Sequence, residues 1–175
     1  MRSVVVYESM FGNTETIALA IAAGLSEAGE VKIGTVDTLS PEEVRDATLL
    51  VAGGPTHAHG TARPNAHETI ARERAHRRYR RVLPGRESLG GWIERLTVAP
   101  ARAATFDTRF DEPILITGSA AKKIAARLTR KGYSVLEARS FFVSATGGPL
   151  VEGECDRALE WGRELGAKAR SAAAA

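Results

Sequence analysis

The chain is expected to fold as an α/β domain: a single doubly wound parallel sheet of five strands in the order 2-1-3-4-5, with a basic helical insertion after the third strand. Two observations lead there. Short apolar runs alternate with helical patterns along the whole chain, the rhythm of parallel strands joined by right-handed crossovers. The loops after the first and third runs, each conspicuous for its own residues, become neighbours at the carboxyl ends of the strands in that order, where sheets of this class bind ligands.

Val4-Val5-Val6 is an all-apolar strand, the kind that is covered on both faces. Thr14 to Ala28 follows as a helix with Ile17, Ala18, Ile21, Ala22 and Leu25 on one face and Gly29 as its stop. Val31 to Val36 reads as the second strand. Ser40-Pro41-Glu42-Glu43 starts a short helix, with Ser40 as N-cap, Pro41 at the first position and Glu43 completing a capping box. Leu49-Leu50-Val51-Ala52 is the third strand, and Gly53 to Gly60 reads as a loop. Asn65 to about Leu83 has helical character but is heavily charged, and Pro84-Gly85 breaks it. Ser88 to Leu96 is a helix with Trp92 and Leu96 facing the core. Ala103 to Phe106 is the fourth strand, interrupted by Asp107-Thr108-Arg109. After the apolar Ile114-Leu115-Ile116, Thr117-Gly118-Ser119 caps a helix from Ala120 to Lys131 that Gly132 closes. Tyr133 to Val143 supplies the fifth strand, Gly147-Gly148-Pro149 turns the chain, and Glu154 to Lys168 forms the last helix before a frayed tail from about residue 170 to 175.

The 175 residues suffice for one domain with its own core, and none suggests a second. The hydrophobic and charged fractions, 43% and 26%, are those of an ordinary soluble globule. No apolar run approaches the length of a membrane span, and the first residues lead straight into a strand, so a cytoplasmic protein is expected. The lone Cys155 sits among Glu152, Glu154 and Asp156, which disfavour its thiolate, so it is expected to be buried or inert. The net charge of +3 hides an uneven distribution, for eight of the 24 basic residues fall between Arg63 and Arg86.

The chemistry is expected at the junction Ser9-Met10-Phe11-Gly12-Asn13-Thr14. The hydroxyls of Ser9 and Thr14, the Asn13 amide and free backbone N–H groups converge there on the first turn of a helix, where the dipole favours an anion. No Lys or Arg lies among these residues, unlike the lysine-bearing loop that grips polyphosphates, so the loop suits a single terminal phosphate. This segment resembles the phosphate loop of flavodoxins, which cradles the phosphate of flavin mononucleotide (FMN). The resemblance extends over nearly the whole chain, through Gly53-Gly54-Pro55-Thr56-His57 and Thr105-Phe106-Asp107-Thr108-Arg109. It implies FMN as cofactor. Ser9, Met10, Phe11, Gly12, Asn13 and Thr14 would then hold the phosphate, while Pro55, Thr56, His57, Ala58, His59 and Gly60, with Asp107, Thr108 and Arg109, would flank the isoalloxazine ring. Where flavodoxins commonly set a Trp or Tyr against the ring, this chain offers His57 or His59, and no Tyr follows Asp107. Asp107 and Arg109 can form a surface ion pair, or face N5 or the pyrimidine edge of the flavin.

The implied function is electron transfer, as an electron carrier or as a small quinone- or NAD(P)H-linked flavin oxidoreductase served by a redox partner protein or a small nicotinamide or quinone. The alternative is a flavin-free binding or interaction module of the same fold, using its Arg-rich insertion on an anionic partner. Arg72, Arg74, Arg77, Arg78, Arg80 and Arg81 form a solvated insertion, over residues 61–86, or steer an acidic partner surface. Nucleic acid is not expected, because no aromatic-studded basic face accompanies these arginines. His67 and His76 are metal candidates by composition alone, so no metal site is expected. A homodimer is left open. A receiver domain is disfavoured by Gly53-Gly54 at the end of strand three, and a hydrolase or phosphatase by the lack of a serine elbow or a loop cysteine.

Overall fold

The computed structural model describes residues 1–56, 87–97, 102–144 and 148–171. Its elements run β1 (Arg2–Tyr7), α1 (Asn13–Ser26), β2 (Glu30–Thr35), a 3-10 turn (Pro41–Val44), β3 (Leu49–Pro55), α2 (Leu89–Glu94), β4 (Arg102–Phe110), α3 (Ile114–Thr117), α4 (Ala120–Arg130), β5 (Ser134–Val143) and α5 (Glu154–Ser171). The five strands pair in parallel in the order β2-β1-β3-β4-β5, the expected doubly wound arrangement.

Alternation along β1 assigns each face its partners. Val4 and Val6 pack with Leu50 and Ala52 against Leu89, Trp92 and Ile93 of α2 and Ile124 and Leu128 of α4. Val5 and Tyr7 point the other way, with Leu49, Val51 and Phe106, onto Ile17, Ile21 and Leu25 of α1 and Trp161 and Leu165 of α5. This is why three successive valines can all be buried. Trp92 has a polar tether as well, its Nε1 donating to the Leu39 carbonyl at 2.6 Å.

The structure corrects several expectations. Gly53, Gly54 and Pro55 continue β3, paired with Phe106, Asp107 and Thr108. A Cβ on Gly53 would lie 2.2 Å from atoms of the Phe106 ring, so glycine marks a strand position crossed by a neighbour's side chain. For the same reason β4 is not interrupted at Asp107 but runs on to Phe110. The Ser40 start opens one four-residue 3-10 turn, with the Glu43 carboxylate accepting the Ser40 N–H at 2.7 Å. β5 carries one extra residue, Leu136, between the partners of Ala103 and Ala104. The last helix reaches Ser171, three residues beyond Lys168 and into the expected tail, and Cys155 on its first turn is exposed. The insertion at 61–86 lies outside the described residues.

α1 and α5 touch backbone to backbone. A Cβ on Gly162 would sit 2.3 Å from the Ile21 carbonyl oxygen, and one on Gly24 2.1 Å from that of Leu159. Backbone has nowhere to move, so Gly162→Ala is expected to cost at least the ~1–3 kcal/mol of an overpacked core, read as a lowered denaturation midpoint. A midpoint equal to wild type would mean that the helices separate freely. Tyr7 gives a second test. It is buried, and its hydroxyl donates to the Glu15 carboxylate at 3.2 Å. Burial first, then the Glu15 charge and this bond, push its pKa from 10.0 up to about 12. An unfolded tyrosine ionises near pH ~10, so this contribution to stability is complete below that pH and is lost as pH rises through the folded value. Wild type should lose stability between about pH 10 and 12 more steeply than Tyr7→Phe, in denaturant titrations at each pH.

Candidate functional site

The carboxyl end of β1 leads into the loop before α1. Gly12 is the hinge: at φ 87° it takes the left-handed conformation, and nothing lies within 4 Å of where a Cβ would stand, so the backbone conformation and not crowding calls for glycine. Among the described residues the N–H groups of Gly12, Asn13 and Thr14 donate to no oxygen. They open a helix of 14 residues, so unpaired donors and dipole add at one place. Ser9 Oγ accepts the Glu15 N–H at 3.3 Å, and its own proton is left for an acceptor.

The other side-chain donors expected here are used elsewhere. Asn13 Nδ2 donates to the Gly148 carbonyl at 2.6 Å, tying the loop to the chain after β5. The Thr14 hydroxyl is buried and shares a 2.8 Å hydrogen bond with that of Thr108 on β4. Met10 is core, and Phe11 is half-buried. The loop is therefore a cradle of backbone donors plus Ser9, braced from behind by Asn13 and Thr14.

Thr56, just past β3, is bound on three sides. Its N–H donates to the Thr108 carbonyl at 2.9 Å, its hydroxyl donates to Asp107 Oδ2 at 2.9 Å, and its own Oγ1 accepts the Ala120 N–H at 2.8 Å. Asp107 Oδ2 also accepts from the Ser119 hydroxyl at 2.8 Å and the Ala121 N–H at 2.9 Å, at the start of α4. A fully buried carboxylate is here stabilised by a helix N-terminus and neutral donors.

Arg109 points the same way two residues later and is also buried. Its Nε donates to Ser140 Oγ at 3.1 Å, and its Nη1 to the Phe110 and Glu112 carbonyls at 2.9 and 2.6 Å and to Thr117 Oγ1 at 3.1 Å. The guanidinium lies 5.1 Å from the centre of the Phe142 ring. Asp107 and Arg109 form no ion pair with each other and are not at the surface, because β4 carries both into the sheet. Pro55 and Thr56 stand at the end of β3 beside them, while His57, Ala58, His59 and Gly60 lie outside the described residues, as do the Arg72 to Arg81 cluster, His67 and His76.

Two residues were missed by the sequence reading as members of the site. Glu8 is buried, and its Oε2 accepts the Leu89 N–H at 3.0 Å, clamping the end of β1 to α2. Ser119 was recognisable as a cap, and it does accept the Lys122 N–H at 3.2 Å, but its bond to Asp107 spans 12 residues and has no local signature. Among the described residues no group of His, Cys, Asp and Glu is placed to hold a metal ion, and no helix is long and apolar enough to cross a membrane.

The flavodoxin family model matches residues 5–85. At the level of sequence no curated protein matches. Among solved structures, a flavodoxin from the domain Archaea superposes with a TM-score of 0.67 at 16% identity, covering 97% of this chain and 99% of that one. Flavodoxin 2 from Bacillus cereus gives 0.67 at 17% identity, over 96% and 99%. A flavodiiron protein from Giardia intestinalis gives 0.62 at 19% identity, over 97% of this chain and 36% of that one. Strand order and these superpositions show that this chain has the flavodoxin-like fold, and the flavodoxin family model resembles its first half, over residues 5–85.

Proposed function

We propose that this chain binds FMN across the carboxyl ends of β1, β3 and β4 and serves in electron transfer, as a carrier or as a small oxidoreductase acting with a quinone or a nicotinamide. The observation that carries the reading is the anion cradle: the N–H groups of Gly12, Asn13 and Thr14, without protein acceptors among the described residues, beside the free proton of Ser9. It adjoins Thr56, Asp107 and Thr108 at the point where the strand order reverses, between β1 and β3.

In this reading FMN supplies the redox chemistry, accepting and releasing electrons at its ring. The residues bind, orient and insulate. Backbone donors and Ser9 hold the phosphate without a cation, so the site neither attracts polyphosphates nor places a mobile charge near the ring. Thr14, paired with Thr108, fixes the cradle against β4, and Thr56, tied to Asp107 and α4, fixes the opposite side. The arginines from Arg72 to Arg81 fit an acidic partner surface and would act on the rate of encounter.

A flavin-free interaction module remains a second reading because Asn13 and Thr14 are satisfied within the protein. Uptake separates the two: purified protein incubated with FMN should acquire flavin absorption bands. Ser9→Ala should then weaken FMN by ~10-fold or more, the scale of one bond to a charged group, and leave riboflavin unchanged. Equal losses for both flavins would remove the phosphate from this loop.

The partner surface has its own test. Neutralising Arg77, Arg78, Arg80 and Arg81 together should slow association with an acidic electron-transfer protein by roughly 10-fold at low salt, flatten its salt dependence and leave FMN affinity unaltered. Association rates that ignore both the substitutions and salt would take the cluster out of recognition.

A further inference from the structure

Arg109 is a buried cation with no counter-charge among the described residues. It is 7% exposed, and every acceptor it uses is neutral: the Ser140 and Thr117 hydroxyls and the Phe110 and Glu112 carbonyls. Among the described residues no carboxylate lies within ion-pair distance. All these bonds come from Nε and Nη1, so Nη2 donates to no oxygen among the described residues. The nearest carboxylate in sequence on its face, Asp107, is committed through Oδ2 to Thr56, Ser119 and Ala121. Arg157, the other guanidinium over Phe142, is paired with Glu154 and contributes no comparable free charge.

Charge taken out of water is costly unless something of opposite sign offsets it, and buried arginines are for that reason normally paired. Among the described residues that offset is missing at the carboxyl end of β4, beside the proposed ring site. A group that gains negative charge there meets a positive potential little screened by solvent. Resting on the FMN reading above, we propose that Arg109 is the group that stabilises negative charge on the reduced cofactor, and thereby sets this protein's preference for reduced over oxidised flavin. The reaction is balanced simply: the ring takes two electrons and one proton, leaving one net negative charge on it, while the reductant, dithionite in the test below, is oxidised to sulfite. Flavin potentials respond to charge placed near the ring, so the sign is determined: a cation favours the reduced form.

The clamp and the charge can be separated by substitution. Arg109→Gln removes the charge, and Arg109→Lys keeps the charge but cannot reproduce the set of bonds from Nε and Nη1. Ser140→Asp leaves the arginine in place and puts a carboxylate beside its Nε, where the Ser140 hydroxyl now lies at 3.1 Å. The readout is the ratio of reduced to oxidised FMN affinity, obtained from the potential of the bound flavin during anaerobic dithionite titration against a redox dye, with oxidised affinity measured separately. Arg109→Gln and Ser140→Asp should each lower the ratio by ~10-fold or more, as expected for one charge at partly desolvated range, and Arg109→Lys should stay near wild type. If Arg109→Gln does not fold, Ser140→Asp alone carries the test.

Ratios equal to wild type in the charge-neutralised variants would overturn the inference. So would equal losses in Arg109→Gln and Arg109→Lys with none in Ser140→Asp, which would assign Arg109 to holding the loop alone. Wild type that takes up no flavin would overturn the cofactor reading and this inference together, whereas uptake with an unaltered ratio overturns only the latter.

Discussion

The contact on which the site depends is the Phe106 ring lying across the Cα of Gly53. With no side chain on β3 at that position, β3 and β4 stay in register through Gly54–Asp107 and Pro55–Thr108, beyond the last apolar residue of β3 at Ala52. A Cβ there would drive the strands apart where their apolar pattern ends. Because they remain paired, Asp107, Thr108 and Arg109 are drawn into the sheet, and Thr56 is close enough for its N–H to reach the Thr108 carbonyl at 2.9 Å. The end of the sheet becomes a rigid rim where a turn would have been mobile.

That rim is polar and buried, which demands compensation. Glu8 Oε2 and Asp107 Oδ2 receive backbone N–H groups from the starts of α2 and α4, so donors that a helix leaves unused bond one oxygen of each carboxylate that the sheet has buried. The same economy appears in the cradle before α1, except that there the donors are left free among the described residues. Helix starts thus play two parts at one end of the molecule, holding side chains at α2 and α4 and presenting an empty set of donors at α1.

Beneath the rim, rigidity comes from packing. α1 is pressed onto α5 by the Gly24–Gly162 contact, and Asn13 ties the beginning of α1 to Gly148, in the segment that leads from β5 into α5. The loop is therefore anchored to α5 on its own side of the sheet and, through Thr14 and Thr108, to the sheet itself, and the Asn13 side chain and the Thr14 hydroxyl are used in these ties. For a ligand held by several weak neutral donors, such preorganisation lowers the ordering cost that would otherwise consume their contribution.

The architecture was legible in the residues because it rests on period and punctuation. Val4 to Val6, the helical spacing from Ile17 to Leu25, and the caps at Ser88 and Ser119 are local signals, and local signals set the element order from which β2-β1-β3-β4-β5 follows. The turn from β1 into α1 at Ser9 to Thr14 was legible for the same reason, since a strand, a glycine and a helix start are neighbours in sequence. What only the tertiary structure decided are relations between distant residues. Gly53-Gly54 carries the composition of a loop, and becomes strand because a phenylalanine 53 positions later needs the space. Asp107 and Arg109 resemble a solvent-exposed pair and become separate buried charges, because their partners Thr56, Ser119 and Ser140 come from other segments. Periodicity reports which face a residue takes, but hydrogen-bond satisfaction in a buried site depends on who arrives from elsewhere, and that is settled only when the chain has folded.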